Sequence, residues 1–214
     1  MRVAILGSGH VGRTVGLGFA EHEHEVAMGT RSPDGPGAVE FIDKVGDRGW
    51  VDTYDAVASW CELAVLASVW KGAPHVVELA GADNLAGKVV VDVTNPLSKD
   101  RKGHEMLATG PGDSAGETVQ RLLPKSRVVK AFNTVGVEQM VSPKLVGGPG
   151  TMMIAGDDEN AKEIVAEVLH DFGWESADLG GIEASRGIEG VLLAWMYYGM
   201  RRGTWDHAFK ILRG

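Results

Sequence analysis

Cysteine is nearly absent from this sequence, with one residue, Cys61, among 214. A single cysteine excludes an intramolecular disulfide, and such low usage is typical of proteins from a reducing compartment. Cys61 stands beside an apolar run, which favours a small core residue over a reactive thiol. No cysteine accompanies the pair His22 and His24, so we expect no metal site there.

Positive charge is also scarce, because 21 Lys and Arg stand against 29 Asp and Glu, which gives a net charge of −8. This balance argues against binding to nucleic acid or to an anionic membrane surface. Residues 191–200 form an apolar run that is too short and too interrupted to cross a bilayer, and no signal peptide is recognisable. We therefore expect a cytoplasmic protein with small-molecule partners.

Glycine, in contrast, is abundant, with 30 residues, and it forms a specific pattern near the start. Residues 2–6 have the composition of a strand, and a G-x-G-x-x-G turn follows at once. This turn consists of Gly7, Ser8, Gly9, His10, Val11 and Gly12. In that position it is the dinucleotide fingerprint, in which backbone N–H groups at the start of the next helix bind a pyrophosphate.

The second predicted strand, residues 25–29, ends without the acidic residue that would bind a ribose 2′-hydroxyl. The chain continues with Thr30, Arg31 and Ser32. A guanidinium can bind a phosphate through two parallel hydrogen bonds, and the two hydroxyls can donate to the remaining oxygens. The sequence therefore predicts NADP rather than NAD.

Strands alternate with helices along most of the chain, which is typical of a doubly wound, mostly parallel sheet of the Rossmann type. Further strands are predicted at residues 62–69, 88–94, 127–134, 151–155 and 174–179. Helices are predicted at residues 13–22, 38–45, 53–59, 74–80, 114–123, 182–200 and 204–212, and one to about residue 172 capped by Asp157 or Asp158. We expect residues 98–116 to be a mobile connection or a flap. We expect an NADP-binding domain at 1–135 and a small α/β extension at 136–214, packed on the same sheet.

The carboxyl ends of the parallel strands are where a doubly wound fold binds its ligand. The residues that follow the strands are therefore candidate cofactor contacts: Ser68, Val69, Trp70, Asn95, Leu97 and Asn133. Trp70 fits a core position equally well, and each Asn could serve only to cap a strand end. No lysine or histidine stands among these residues as an acid–base pair, so no catalytic residue is assigned. A transfer between two redox cofactors needs none.

Several segments resemble the family of coenzyme F420-dependent NADP oxidoreductases along essentially the whole chain. They are the glycine turn at 7–12, Gly29-Thr30-Arg31-Ser32, Ala64-Val65-Leu66-Ala67 with Trp70, Val128-Val129-Lys130-Ala131-Phe132-Asn133-Thr134, Ala155-Gly156-Asp157-Asp158 and Ala208-Phe209-Lys210-Ile211-Leu212. The 128–134 segment is the most specific of them. It is also similar to the NADPH-binding domain of the STEAP metalloreductases.

The resemblance implies a homodimer that exchanges a hydride between NADP(H) and a deazaflavin, coenzyme F420, stacked on the nicotinamide. It implies pyrophosphate contacts at Ser8, Gly9, His10 and Val11 and 2′-phosphate contacts at Thr30 and Arg31. It implies contacts on the nicotinamide side from Trp70, Leu97 and Val137, with Pro74 nearby. The extension at 136–214 would contribute to the dimer and to the acceptor site.

Three functions remain open from the sequence. The first is an oxidoreductase that moves a hydride between NADP(H) and coenzyme F420 or a similar flat acceptor. The second is an NADPH-dependent reductase of flavin or ferric chelates. The third is an NADP(H)-binding module that senses redox state without catalysis.

Overall fold

The computed structural model describes residues 1–212 and is built on a sheet of six parallel strands. The strands are β1 Arg2–Leu6, β2 Glu25–Gly29, β3 Gly49–Asp52, β4 Leu63–Leu66, β5 Val89–Asp92 and β8 Arg127–Lys130. They lie in the order β3-β2-β1-β4-β5-β8. With β8 counted as the sixth strand this is the Rossmann order, so the predicted fold class is confirmed.

Helices cover both faces of this sheet. They are α1 His10–Glu21, α2 Pro36–Val45, α3 Tyr54–Trp60, α4 Ala73–Ala80, α5 Ala115–Leu122, α6 Glu159–Asp171 and α7 Ser185–Arg202. Side chains of α1, α2 and α6 share one apolar cluster, and those of α3, α4 and α5 share another. No helix within residues 1–212 is both long enough and apolar enough to cross a membrane.

The alternation of side chains along β1 explains how one sheet supports two cores. Val3 and Ile5 are fully buried in the cluster with α1, while Ala4 and Leu6 are fully buried in the cluster with α3. A strand buried on both faces needs apolar residues at every position, which gives the continuous apolar runs seen in the sequence. The two layers fix the strand ends, where the candidate site lies.

Two shorter pairs of strands complete the structure. β6 Leu97–Lys99 and β7 Glu105–Leu107 form an antiparallel hairpin, and β9 Thr151–Ile154 pairs in parallel with β10 Glu175–Asp178. The β9–β10 pair is a separate sheet that meets the edge of β8 through one antiparallel bridge, between Lys130 and Ala155. The extension therefore abuts the main sheet without lengthening it by a regular strand.

Two boundaries near the start differ from the sequence prediction. α1 begins at His10 instead of Arg13, because Gly9 already has the extended backbone of an N-cap and its carbonyl accepts the Arg13 N–H at 3.0 Å. The prediction contained no strand between residues 46 and 52, yet β3 occupies the edge beside β2. β3 was missed because its residues are only half-buried or exposed and show no apolar run.

Residues 98–116 also differ from the expected connection, because they contain most of the β6–β7 hairpin. Asp100 closes its turn by accepting the N–H groups of Lys102 and His104, and Lys99 pairs with Glu105 across the strands at 3.1 Å. The hairpin depends on these polar contacts and on its neighbours instead of on an apolar alternation, so the sequence pattern does not indicate it.

The predicted helix at 204–212 is wrong, since these residues have no regular secondary structure. The Thr151 N–H donates to the Phe209 carbonyl at 2.8 Å, and the Ile211 N–H donates to the Thr151 hydroxyl at 3.0 Å. Trp205 stacks on Trp195 of α7 with ring centroids 5.2 Å apart. Contacts with β9 and α7 therefore outweigh the local helical preference. The last two residues of the predicted extension, 213–214, lie outside the described part.

Candidate functional site

The glycine turn between β1 and α1 has the geometry that its motif predicts. Gly7 has φ 139°, and a Cβ there would lie 2.4 Å from the Ala67 carbonyl oxygen. A Cβ on Gly12 would lie 2.0 Å from the Gly7 carbonyl oxygen. Only glycine fits these two positions, which bring α1 close to β1. At Gly9, by contrast, a Cβ would meet no atom of residues 1–212 within 4 Å, so this side of the turn is open.

The N-terminus of α1 faces the same open side. Its N-cap is Gly9, and within the described chain no side chain accepts a hydrogen bond from its first turn, which also holds no acidic residue. The first N–H groups of a helix have no partner within the helix, and they carry a partial positive charge. This end of α1 is therefore suited to an external anion. His10 is exposed, and Val11 is half-buried beside it.

At the end of β2 the three predicted residues separate into two environments. Thr30 is buried, and its hydroxyl lies 3.0 Å from the Ser8 hydroxyl and 3.3 Å from the Ser32 N–H. Thr30 therefore joins the glycine turn to the loop after β2. Arg31 and Ser32 are exposed. Across residues 1–212 the Arg31 guanidinium has no ion pair. Its charge is felt by the neighbouring Tyr54, whose pKa is raised by burial against the opposing effect of Arg31.

Arg13 supports the glycine turn, although the sequence analysis did not single it out. Its guanidinium donates to the Ser8 carbonyl at 2.8 Å and pairs with Glu40 of α2 at 3.1 Å. α2 itself approaches closely, since a Cβ on Gly37 would lie 2.6 Å from the same carbonyl. An arginine directly after the last glycine of the motif was the available signal.

The ends of β4, β5 and β8 bring Ser68, Asn95 and Asn133 to one edge of the sheet. The Asn133 side-chain N–H donates to the Asn95 side-chain oxygen, and the Asn95 amide returns a bond to the Asn133 carbonyl at 3.4 Å. Three buried oxygens at this edge have no hydrogen-bond partner among residues 1–212: Ser68 Oγ, Thr94 Oγ1 and Asn133 Oδ1. Buried polar atoms are almost always paired in native structures, so these atoms suit a polar ligand.

Phe132 supports the same edge through its backbone. It has φ 56°, which is an outlier for a bulky side chain, and its ring is buried against Phe172. Such strained backbone conformations occur preferentially at functional sites, where the surrounding packing maintains them. The turn at Phe132 sets the direction of Asn133 directly after it.

The remaining predicted contacts lie around this edge on different elements. Val69 and Leu97 are exposed, by 79% and 36%. Trp70 begins a short 3₁₀ turn and packs on the α3–α4 core, while Pro74 is exposed in the first turn of α4. Val137 lies in a second 3₁₀ turn and packs on the opposite core. Trp70 therefore makes core contacts, which is one of the two roles that the sequence left open for it.

The C-terminal residues lie against the loop that follows β8. A Cβ on Gly136 would lie 2.9 Å from the Trp205 carbonyl oxygen, and the Gln139 amide donates to Asp206 at 3.4 Å. The β6–β7 hairpin contacts α7, where the Tyr197 hydroxyl is 3.5 Å from the Glu105 carbonyl. The extension thus borders the strand-end site.

A buried charge cluster lies directly beneath the strand ends, and the sequence analysis missed it. Lys130 ends β8 and Asp92 ends β5, and their ammonium and carboxylate are 3.0 Å apart. Glu189 of α7 lies 3.2 Å from the same ammonium. Burial raises the pKa of the Glu189 carboxyl, against the opposing effects of Lys130 and of two backbone N–H groups. The position of Glu189 could not be inferred without the tertiary fold.

The strand order, the glycine turn and its helix define a protein of the Rossmann class. The chain belongs to the family of coenzyme F420-dependent NADP oxidoreductases. The family model described as "NADP oxidoreductase coenzyme F420-dependent" matches residues 2–96. A solved structure from Arthrobacter sp. FB24, provisionally named an F420-dependent NADP reductase, is 35% identical, covers 100% of both chains and has a TM-score of 0.93.

Two curated relatives differ in what their names describe. The chain is 29% identical to metalloreductase STEAP3 of Rattus norvegicus, over 90% of this chain and 36% of that protein. It is 32% identical to the F420-dependent NADP reductase of Methanocaldococcus jannaschii, over 51% of this chain and 49% of that protein. The matches therefore span less than half the length of these relatives. A reductive aminase from Aspergillus terreus in complex with NADPH, 15% identical with a TM-score of 0.66, shares the fold.

Proposed function

We propose that this protein transfers a hydride between NADP(H) and a flat redox acceptor, coenzyme F420. The observation that carries the proposal is the arrangement at the sheet edge: the open N-terminus of α1 lies beside strand ends whose buried oxygens have no partner among residues 1–212. The first suits phosphates, and the second suits a polar, planar group. Family membership supports the choice of the two cofactors.

The residues divide by the part of NADP(H) they would hold. The glycine turn, from Gly7 to Gly12, would bind the pyrophosphate through backbone N–H groups. Arg31 would hold the 2′-phosphate with Ser32, and Thr30 would position the loop between them. The nicotinamide side would be formed by Ser68, Val69, Trp70, Pro74, Asn95, Leu97, Asn133 and Val137.

Hydride exchange itself is the chemistry that the nicotinamide and the acceptor supply. The protein's own contribution is to orient the two rings and to exclude water between them. Exposed Val69 and Leu97 give the apolar surface for a planar acceptor, and the Asn95–Asn133 pair gives polar groups beside it. No side chain is required to move a proton at the transferred hydride.

The domain division and assembly follow from the same proposal. Residues 1–135 would bind NADP(H), and residues 136–214 would complete the acceptor site and form a homodimer. The contacts of Trp205 and Asp206 with the loop at 136–139 support the first role. Exposed aromatic side chains of α7, Tyr197 and Tyr198, support the second. We also propose that the protein acts in the cytoplasm.

The test is an anaerobic absorbance assay in which NADPH is mixed with oxidised coenzyme F420 and, in parallel, with flavin mononucleotide. We expect bleaching of the deazaflavin band, faster than that of the flavin. No bleaching of either acceptor by a protein that binds NADPH would refute the proposed reaction and favour a redox sensor.

A second function is favoured by the similarity to metalloreductase STEAP3, which extends over 90% of this chain. In that case the protein would reduce flavin or a ferric chelate with NADPH. A third arm of the assay, with ferric citrate and flavin, distinguishes it, because faster turnover there than with coenzyme F420 would replace the first proposal.

A further inference from the structure

Three ionisable side chains are enclosed together under the strand ends. Lys130, Asp92 and Glu189 each have a side-chain exposure of 0%. Asp92 and Lys130 are neighbours across β5 and β8, and Glu189 reaches them from α7. We refer to these residues as the buried triad.

The buried triad binds both the backbone N–H and the backbone carbonyl of one residue, Thr94. Asp92 accepts the Thr94 N–H at 2.9 Å, and the Lys130 ammonium donates to the Thr94 carbonyl. Asn95 follows Thr94 directly and contacts Asn133, which lies three residues after Lys130. The triad is therefore bonded to the segment that ends in the Asn95–Asn133 pair.

Glu189 extends the same network to the start of α5. Its two carboxylate oxygens accept the N–H groups of Ala115 and Gly116, at 3.0 and 3.2 Å. The hairpin that begins at Leu97 leads into α5, so the triad fixes the chain both before and after the hairpin. These bonds therefore anchor the chain on both sides of the hairpin, at Thr94 before it and at the start of α5 after it.

Stability alone is a poor explanation for such a cluster. Ions lose much hydration energy on burial, and well-packed apolar residues often replace a buried ion pair without loss of stability. The neighbouring strand positions, Val91 and Val129, are in fact valines that are almost completely buried. A lysine can do what a valine cannot, since it donates to a backbone carbonyl and to two carboxylates at once.

We propose that Lys130, held by Asp92 and Glu189, is a positioning residue that fixes Thr94 and Asn95 for the nicotinamide end of NADP(H). The choice of ligand rests on the proposed function, whereas the fixing of Thr94 does not. In this role Lys130 acts through the backbone of Thr94 and contacts neither the nicotinamide ring nor the acceptor ring.

Lys162 provides a matched control. It is also a nearly buried lysine between two carboxylates, with its ammonium 2.8 Å from both Glu159 and Asp178. It lies on α6 beside β10, however, and its partners are exposed. Lys130→Met and Lys162→Met thus remove the same group from two ion clusters, and of these two the Lys130 cluster touches the strand ends of the six-stranded sheet while the Lys162 cluster touches the end of β10.

The first measurement is amide hydrogen exchange at Thr94, which requires no ligand. We expect Lys130→Met to accelerate exchange at Thr94 at least about tenfold relative to β1, and Lys162→Met to leave it unchanged. If Lys130→Met fails to fold, Glu189→Gln gives the same readout with a smaller acceleration. Unchanged protection of Thr94 in the folded variant overturns the proposal.

The second measurement separates the two ends of the cofactor. We expect Lys130→Met to weaken NADPH binding about tenfold while binding of adenosine 2′,5′-bisphosphate, which lacks the nicotinamide, stays within about twofold. Equal losses for both ligands would show a general structural effect and overturn the positioning role. Failure of the F420 assay with this binding pattern intact would refute the proposed reaction and retain the positioning of Thr94.

Discussion

The N-termini of α1 and α5 point to the same strand-end edge but satisfy their backbone N–H groups in opposite ways. The start of α5 is bound by groups of the protein, since Glu189 of α7 accepts the Ala115 and Gly116 N–H groups and the Ser114 hydroxyl accepts that of Glu117 at 3.1 Å. At α1 the N-cap is Gly9, and no side chain in residues 1–212 plays such a part.

The difference indicates which end is kept for a ligand. Both helix ends carry the same partial positive charge, which favours an anion. At α5 the anion comes from α7, and the site is closed by packing. At α1 the N-cap is a glycine, which has no side chain to fill the position, so an anion bound there would come from outside residues 1–212. Variants at either helix end, and at Arg31 after β2, test this difference.

The largest effect is expected from Gly9→Asp, which would give α1 an internal anion like that of α5. The backbone of Gly9 is extended, with φ −70°, and no described atom lies within 4 Å of a Cβ there, so the aspartate fits. As an N-cap it should raise the free energy of unfolding by only a few tenths of a kcal/mol, about 0.3, because glycine is itself a tolerated N-cap residue. It should also weaken NADPH binding at least about a hundredfold, or about 2.8 kcal/mol, through repulsion of the phosphates.

Gly9→Ala is the matched control, because it adds the Cβ without the charge. Titration calorimetry for binding and thermal unfolding for stability give both quantities for each variant. NADPH binding that survives Gly9→Asp would show that the phosphates do not lie at α1.

A tenfold effect is expected from Arg31→Ala, which leaves α1 intact and removes the separate cation after β2. Loss of a charge-assisted bond to the 2′-phosphate should weaken NADPH binding about tenfold, or about 1.4 kcal/mol, and leave NADH binding nearly unchanged. The two dissociation constants are measured by nucleotide fluorescence. Arg48→Ala, at another exposed arginine, serves as the control. Equal losses for both nucleotides would contradict the role of Arg31.

A smaller effect, confined to stability, is expected from Ser114→Ala at the closed end. Loss of the cap should lower the free energy of unfolding by about 1 kcal/mol while NADPH binding stays the same. Thr53 holds the N-cap position of α3, but within the described residues its side chain accepts no bond from that helix. Thr53→Ala should therefore cost less in urea unfolding. A loss of NADPH affinity in Ser114→Ala would mean that α5 also contacts the cofactor.

The smallest effect concerns the ion pair that links α5 to α7. The Arg186 guanidinium donates to Glu117 at 2.8 Å and holds the pKa of this carboxyl below its ordinary 4.5. Because the folded state binds the proton more weakly, the stabilisation is full above pH 4.5 and is lost as the pH falls through the lowered pKa. Glu117→Gln should cost about 0.5 kcal/mol at pH 7.

Thermal unfolding of both proteins across this pH range tests the sign. The difference between wild type and Glu117→Gln should shrink on acidification. A difference that grows at low pH would contradict the assignment.

The sequence was sufficient for features that depend on local backbone geometry. Gly7 and Gly12 are where a Cβ would clash with backbone, and the apolar runs became strands buried on both faces. The Asp158 cap of α6 is also confirmed, since its side chain accepts the Ala161 N–H. The roles of the predicted site residues remain predictions, although the structure brings Asn95 and Asn133 into contact.

Features that depend on distant partners could not be predicted. β3 and the hairpin have polar, partly exposed residues whose pairing is set by neighbours. Residues 204–212 have a helical composition but bind β9 and α7 instead. Lys130 lies in the most recognisable segment of the chain, yet its partners Asp92 and Glu189 are 38 and 59 positions away (130 − 92 and 189 − 130).

The contacts that Glu189 of α7 makes with α5 and β8 also affect how the molecule unfolds. If α7 detached, the Ala115 and Gly116 N–H groups and the Lys130 ammonium would all lose a partner in the interior, where unpaired groups are costly. The six-stranded sheet and the C-terminal helix are therefore expected to melt in one cooperative step. A single calorimetric transition should result, in which the calorimetric and van't Hoff enthalpies agree.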